Sequence, residues 1–268
     1  METVIEVLRK KYPDSSNTTL KSWIEEGRVF VAGKQVRRGN EEVSGEVEVR
    51  TKKTTDIGPL KVLFLDQDLI VIEKPAGLLS VKAAFEREKT AHGILKEHFY
   101  PRKVYVIHRL DQETSGVMLF GLSERSYEGL KSLFKEHAIE RIYTAIVEGD
   151  LQGEGTWINR LEEDEDYRVH VVQRGGEEAI THYKAIKRGK NGYTLVAFQL
   201  ETGKKNQIRV QSSFYGFPLA GDEKYGGRTD PIKRLALHAS TLGFVHPIKG
   251  TPLLLESKVP SSFERAVK

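Results

Sequence analysis

The sequence predicts an α+β protein in which a large domain on a mixed or antiparallel β-sheet follows a small α/β module. Three observations carry that expectation. After residue 60 the chain is a succession of short stretches rich in β-branched and aromatic residues, broken by turn signals and by few helical patterns. Before residue 50 two helical patterns lead into short strands. Between the two regions Thr51-Lys52-Lys53-Thr54-Thr55-Asp56-Ile57-Gly58-Pro59 is polar and closes on Gly-Pro, as a linker does. The expected division is a module over 1–50, a linker over 51–59 and a main domain over 60–268, and 268 residues suffice to bury a sizeable core.

In the first module Val4, Val7 and Leu8 have helical spacing. A second helix holds Leu20 to Glu26 and stops at Gly27, where a glycine cap fits. Val29-Phe30-Val31 then reads as a strand and Ala32-Gly33-Lys34-Gln35 as a tight turn. Past the linker, Lys61 to Leu65 and Leu69 to Glu73 flank Asp66-Gln67-Asp68 and form a hairpin pattern. Thr90 to Phe99 is an amphipathic helix. Ser123 is a suitable N-cap for another, with Tyr127, Leu130, Leu133 and Phe134 on one face. Further strands are expected at Ile142 to Glu148, Thr156 to Arg160, Arg168 to Gln173, and Thr181 to Lys187 with Thr194 to Leu200 around Asn191-Gly192. The acidic run Glu162-Glu163-Asp164-Glu165-Asp166 reads as a solvated loop tip that would repel phosphate, so it is expected to stand away from the path of any phosphate-bearing partner.

The composition, 38% hydrophobic and 30% charged, is that of a soluble protein. No apolar run approaches a membrane span and the N-terminus lacks the regions of a signal peptide, so the expected location is cytoplasmic, without membrane contact. With no cysteine, disulfides, thiolate catalysis and cysteine-based zinc sites are excluded. A net charge of +4 is compatible with a nucleic-acid partner without requiring one. A monomer is the default.

Three stretches carry candidate chemistry. His108-Arg109-Leu110-Asp111-Gln112-Glu113-Thr114-Ser115-Gly116 lies between two strand patterns, Val104 to Ile107 and Val117 to Leu122, so it is a loop held by rigid neighbours. Alone, Asp111 and Thr114 would make a turn; an anchored loop also suits a positioned carboxylate. Arg141-Ile142-Tyr143 opens a strand, where Tyr143 would ordinarily pack. Glu201-Thr202-Gly203-Lys204-Lys205-Asn206-Gln207-Ile208-Arg209-Val210 reads as a strand-to-helix turn, with Lys204 and Lys205 suited to phosphate. His238 and His246 lack a third ligand at metal spacing and read as buried, hydrogen-bonded histidines. Nucleotide-loop and nucleophile-elbow patterns are absent, so no cofactor and no metal is expected.

Taken in order, these stretches resemble the RluA-type pseudouridine synthases. The nonamer resembles the family's His-Arg-Leu-Asp-x-x-Thr-Ser-Gly loop, Lys74-Pro75-Ala76-Gly77 its Lys-Pro-x-Gly turn, and Arg141-Ile142-Tyr143 its basic-x-Tyr strand. Lys204 to Gln211 resembles Arg-x-His-Gln-Ile-Arg-Val-His, with Lys204, Asn206 and Gln211 as departures. Gly221-Asp222-x-x-Tyr225-Gly226 and Leu235 to Ala239 extend the likeness to about Pro260. Residues 1–50 resemble the small RNA-binding domain shared with ribosomal protein S-four, on Leu20 to Lys34.

The resemblance implies the pseudouridine synthase fold and the isomerisation of uridine in RNA, which breaks the bond from ribose to nitrogen 1 and joins ribose to carbon 5. It implies Asp111 as the essential residue, as nucleophile or base. Tyr143 would stack on the target base and exchange a proton with it. Arg209 would hold Asp111 ionised. RNA contacts fall to His108, Arg109, Thr114, Lys204, Lys205, Gln207 and Leu237, with Arg109 filling the space of the extruded base and Leu237 packing beneath Tyr143. Large-subunit ribosomal RNA is the expected partner, ahead of transfer RNA. The competing readings are a non-catalytic RNA-binding assembly factor and a hydrolase using Asp111 with Glu113.

Overall fold

Val4 and Leu8, one helical turn apart, are both fully buried, and with Leu20, Trp23 and Ile24 of the second helix they make the core of the N-terminal unit. The computed structural model describes residues 2–13, 15–49, 57–82 and 89–268. In this unit β1 (Glu2–Thr3) precedes α1 (Val4–Lys11) and α2 (Asn17–Glu25); β2 (Val29–Val31), β3 (Lys34–Gln35), β4 (Glu42–Val43) and β5 (Val47–Val49) follow. The strands form two small sheets, β1 with β4 and β3-β2-β5. Ser16 caps α2 by accepting from Thr19 N, and Gly27 turns the chain beyond it at φ 68°.

The chain divides into two compact units, Met1–Thr55 with Lys96–Lys103, and Asp56–Leu95 with Val104–Lys268. The first unit therefore includes a downstream segment. Within it Tyr100 stacks on Trp23 at 4.5 Å between centroids and its hydroxyl accepts from Ser15 Oγ at 2.8 Å. Residues 51–56 of the expected linker lie outside the described residues.

The second unit is built on one mixed sheet. Its strands are β6 (Lys61–Leu65), β7 (Leu69–Lys74), β8 (Tyr105–Val106), β9 (Ser115–Gly121), β10 (Glu140–Glu148), β11 (Glu154–Glu163), β12 (Val169–Val172), β13 (Glu177–Arg188), β14 (Tyr193–Leu200), β15 (Leu237–Val245) and β16 (Pro252–Glu256). The helices are α3 (Ala91–Phe99), whose residues from Lys96 on belong to the first unit, α4 (Glu124–Lys135), α5 (Gln207–Phe214) and α6 (Ser261–Ala266). The order is β12-β11-β13-β14-β10-β15-β9-β7-β6, with β16 added to β15 and β8 to β9. Every pairing is antiparallel except β15 with β9, where His238 faces Ser115 and Ala239 faces Gly116. Gly116 stands there at φ 118°, and a Cβ on it would lie 2.1 Å from Ala239 O, so this junction requires glycine.

The expected helix at Ser123 is present, with Ser123 Oγ accepting from Ser126 N. The expected strand over Val104 to Ile107 contracts to the two residues of β8, because only Tyr105 and Val106 find partners on β9. The main core beside the site gathers Trp157, Val196, Phe198, Ile208 and Leu237, with Tyr143 partly buried against it.

Candidate active site

The loop between β8 and β9 is clamped on both sides of Asp111. Ser80 Oγ donates to Leu110 O at 2.6 Å and accepts from Leu110 N at 3.1 Å. On the other side Lys74 Nζ donates to Gln112 O at 2.9 Å, and also to Leu78 O and Pro75 O. Lys74 is fully buried, and burial lowers its pKa to about 8 while Glu113 and Asp111 oppose that fall. Thr114 N donates to Asp111 O at 3.1 Å and closes the turn. Turn and positioned carboxylate thus coexist: backbone atoms make the turn, and the Asp111 side chain lines a cleft of about 70 Å³.

Arg209, on α5, lies between two carboxylates. It gives Asp222 a bidentate pair, Nε to Oδ2 and Nη2 to Oδ1, each 2.7 Å, and reaches Asp111 Oδ2 with Nη1 at 3.3 Å. Asp222 has a fully buried side chain. Burial works against the guanidinium charge, but Asp222 first and Asp111 second outweigh it and hold the Arg209 pKa above its ordinary value. Arg209 is a permanent cation beside Asp111, fixed from behind by Asp222.

Asn206 is the other neighbour of Asp111. It precedes α5 in the left-handed conformation, φ 54° and ψ 22°, which asparagine tolerates better than most residues. Its partners orient its amide: Oδ1 accepts from Tyr225 OH at 3.0 Å, and Nδ2 lies 2.8 Å from Asp111 Oδ2 and 3.2 Å from Oδ1. The reversed amide would set its oxygen against the carboxylate.

Tyr143 lines the same cleft from β10, where its register partners are Phe198 and Ala239. Burial pushes its phenol up to about 12, with Arg141 lowering it and Asp111 raising it. At neutral pH it is a neutral ring with a proton to give, a form suited to stacking on a base.

The remaining expected RNA contacts separate into two groups. Arg109, Thr114, Lys204, Gln207 and Leu237 line the cleft; His108 and Lys205 are not among its lining residues. His108 Nε2 accepts from Leu119 N at 3.0 Å, its ring stacks on Phe134, and burial lowers its pKa to about 4, so it is a neutral structural acceptor. Gln207 is buried and fully engaged: Oε1 accepts from Thr202 Oγ1 and Lys204 N, and Nε2 donates to Ile180 O and Thr181 Oγ1. It holds the turn that presents Lys204. Glu113, invoked by the hydrolase reading, is exposed and does not line the cleft.

The acidic run does not stand clear of the lysine turn before α5. Glu163 pairs with Lys205, whose Nζ also donates to Tyr167 O at 3.2 Å, and Lys204 pairs with Glu177 at 2.6 Å. The lysine pattern, read without its partners, gave no sign of this.

His238 and His246 are both buried and hydrogen-bonded. His238 Nδ1 meets Ser115 Oγ at 2.8 Å. His246 Nε2 donates to Asp66 Oδ2 at 2.9 Å, with Lys249 on the same oxygen at 2.6 Å. Asp66, Asp68 and His246 lie close enough to hold a metal ion, yet Asp66 and His246 already satisfy each other and Lys249 supplies the positive charge.

Sequence reasoning assigned no role to Asp222, Asn206 or Ser80. One signal was available for Asp222. An arginine buried beside one acid calls for further compensation, and Gly221-Asp222 stood in a stretch already singled out.

The family profile described as RNA pseudouridylate synthase matches residues 68–214. An uncharacterized RNA pseudouridine synthase of Bacillus subtilis is 31% identical over 284 residues, covering 100% of this chain and 93% of its own. A ribosomal large subunit pseudouridine synthase D of Xanthomonas campestris is 33% identical over 286 residues, covering 97% and 86%. Among solved structures, human RNA pseudouridylate synthase domain containing 4 aligns over 76% of this chain and 90% of its own, with a TM-score of 0.62 and 26% identity. The matched region runs from the hairpin before the Asp111 loop to the end of α5, and so contains Asp111, Tyr143 and Arg209. This chain belongs to the RluA-type RNA pseudouridine synthases, enzymes that isomerise uridine in RNA to pseudouridine.

Proposed function

We propose that this enzyme modifies large-subunit ribosomal RNA and that Asp111 is its essential residue. The observation that carries the site assignment is the single cleft in which Asp111, Tyr143 and the Arg209–Asp222 pair converge. The target uridine leaves its stack, at a cost of a few kcal/mol when paired. Arg109 fills the space it vacates. Tyr143 stacks on the base, and Asp111 acts as nucleophile at the anomeric carbon or as base at the neighbouring ribose carbon. Both routes require an ionised carboxylate, and Arg209 sets its guanidinium 3.3 Å from Oδ2. Lys204 and Lys205 meet phosphates, and the N-terminal unit, with its likeness to the S-four domain, adds RNA affinity. The ribosomal target is supported by relatives named ribosomal large subunit pseudouridine synthase D.

The test uses RNA carrying tritium at uridine carbon 5. Asp111→Asn, nearly isosteric, should reduce tritium release by more than about a hundredfold. Full release by that variant would end the assignment. Release from transfer RNA transcripts and none from ribosomal ones would move the target.

A further inference from the structure

We propose that Asn206 is a positioning residue for Asp111, and that the Tyr225 hydroxyl fixes Asn206 in that role. The inference rests on the reading of Asp111 given above and adds the group that sets the direction of its carboxylate.

Two donors face Asp111 Oδ2, and their distances divide the work. Arg209 Nη1 is at 3.3 Å and its two shorter bonds go to Asp222, so it supplies charge with weak directionality. Asn206 Nδ2 is at 2.8 Å and carries the directional bond. An amide bound only to the carboxylate would be free to rotate. Tyr225 prevents this: its hydroxyl donates to Asn206 Oδ1 at 3.0 Å and accepts from Val169 N at 3.2 Å. The Tyr225 ring is itself buried, with Arg209 and Arg168 over it at 5.0 and 5.7 Å. The chain of bonds runs from the backbone of edge strand β12, through Tyr225 and Asn206, to the reacting carboxylate. Asp222 ties the same elements from below, since its Oδ1 also accepts from Tyr225 N.

The chemistry of the chosen residue matters as much as its reach. A carboxamide donates the same proton at every working pH, so Asn206 adds no ionisation of its own beside Asp111. The charged or titratable groups around Asp111 are Arg209 and Asp222, Lys204 before α5, Arg109 on the same loop, Tyr143 from β10 and Lys74 from the end of β7.

Three variants test this, measured by tritium release against pH alongside Asp111→Asn, with thermal melts as the folding control. Asn206→Gly removes the donor while suiting the left-handed backbone, and should lower kcat about tenfold with KM little changed. Asn206→Asp keeps the size but sets a second carboxylate against the first; the pair will retain a proton to higher pH, moving the acid limb of kcat upward by more than about one pH unit. Tyr225→Phe keeps the ring and loses the hydroxyl, and should lower kcat severalfold with the acid limb in place. The inference is overturned if Asn206→Asp keeps the wild-type kcat and acid limb, or if every loss of kcat merely follows a loss of folded protein. Should Asp111→Asn remain active, the reading of Asp111 falls and takes this one with it. An inactive Asp111→Asn beside a normal Asn206→Asp refutes the role of Asn206 alone.

Discussion

Thr114 contributes a hydroxyl that has no hydrogen-bond partner among the described residues, although the residue is 2% exposed and lines the cleft with Asp111 and Tyr143. A buried hydroxyl without a partner costs stability of roughly 1–3 kcal/mol. Thr114→Val, which keeps the shape, should therefore melt at the same temperature as wild type or higher, while kcat/KM on RNA falls if RNA completes the missing bond. A lower melting temperature would mean the hydroxyl is already satisfied. At this scale the grouping of Asp111, Tyr143 and Arg209, which line one cleft, came from the family resemblance, since taken singly Asp111 read as a turn and Tyr143 as a packing residue. Asn206 and Asp222 were present in quoted strings too, but their roles depend on which carboxylate and which guanidinium the fold brings opposite them. His108 stood in the most specific string of all, and its work is to accept from the backbone of β9.

Between elements, the hairpin of β6 and β7 is latched to the turn joining β15 and β16. Asp66 accepts from Lys249 and His246 across that gap and from Asp68 N and Leu69 N within its own turn. Burial works to raise its pKa, and these four donors outweigh burial and bring it down to about 2 from an ordinary 3.8. Because the folded value is the lower one, the stabilisation is complete above about pH 4 and is lost as pH falls towards 2; its size is on the order of 2 kcal/mol. Asp66→Asn should lower the melting temperature at pH 7, and the gap to wild type should close in acid. A gap that persists unchanged at pH 2 would refute the latch. The hairpin itself was legible from Asp66-Gln67-Asp68 between two apolar runs. Its distant partner was not, since 180 positions separate Asp66 from His246. The parallel junction of β15 with β9 was hidden for the same reason, although the sequence does carry its sterically required glycine.

Over the whole molecule the net charge of +4 understates how the cations are disposed. Both lysines of the turn before α5 are paired with glutamates, one from the end of β11 and one from the start of β13. Exposed pairs of this kind contribute little to stability, so their removal should be tolerated. Glu163→Gln with Glu177→Gln should bind RNA more tightly. The slope of log affinity against log salt should steepen by about 0.7 to 0.9 for each freed lysine that reaches a phosphate, measured by filter binding over a salt series. An unchanged slope would mean these lysines meet no phosphate. The fold class, the helices beginning near Thr90 and Ser123 and most strands from β6 to β14 could be read in advance from periodicity and turn chemistry, whereas β15, β16 and α6 could not. Sequence order alone could not reveal that Lys96–Lys103 belongs with the N-terminal unit. That membership limits how the chain can be cut. A domain of contiguous residues can be excised at one point, but this one keeps Tyr100, the stacking partner of Trp23, some forty positions beyond the linker. Residues 1–55 expressed alone would lack that ring, and so would hold less of their own core than they do in the whole chain.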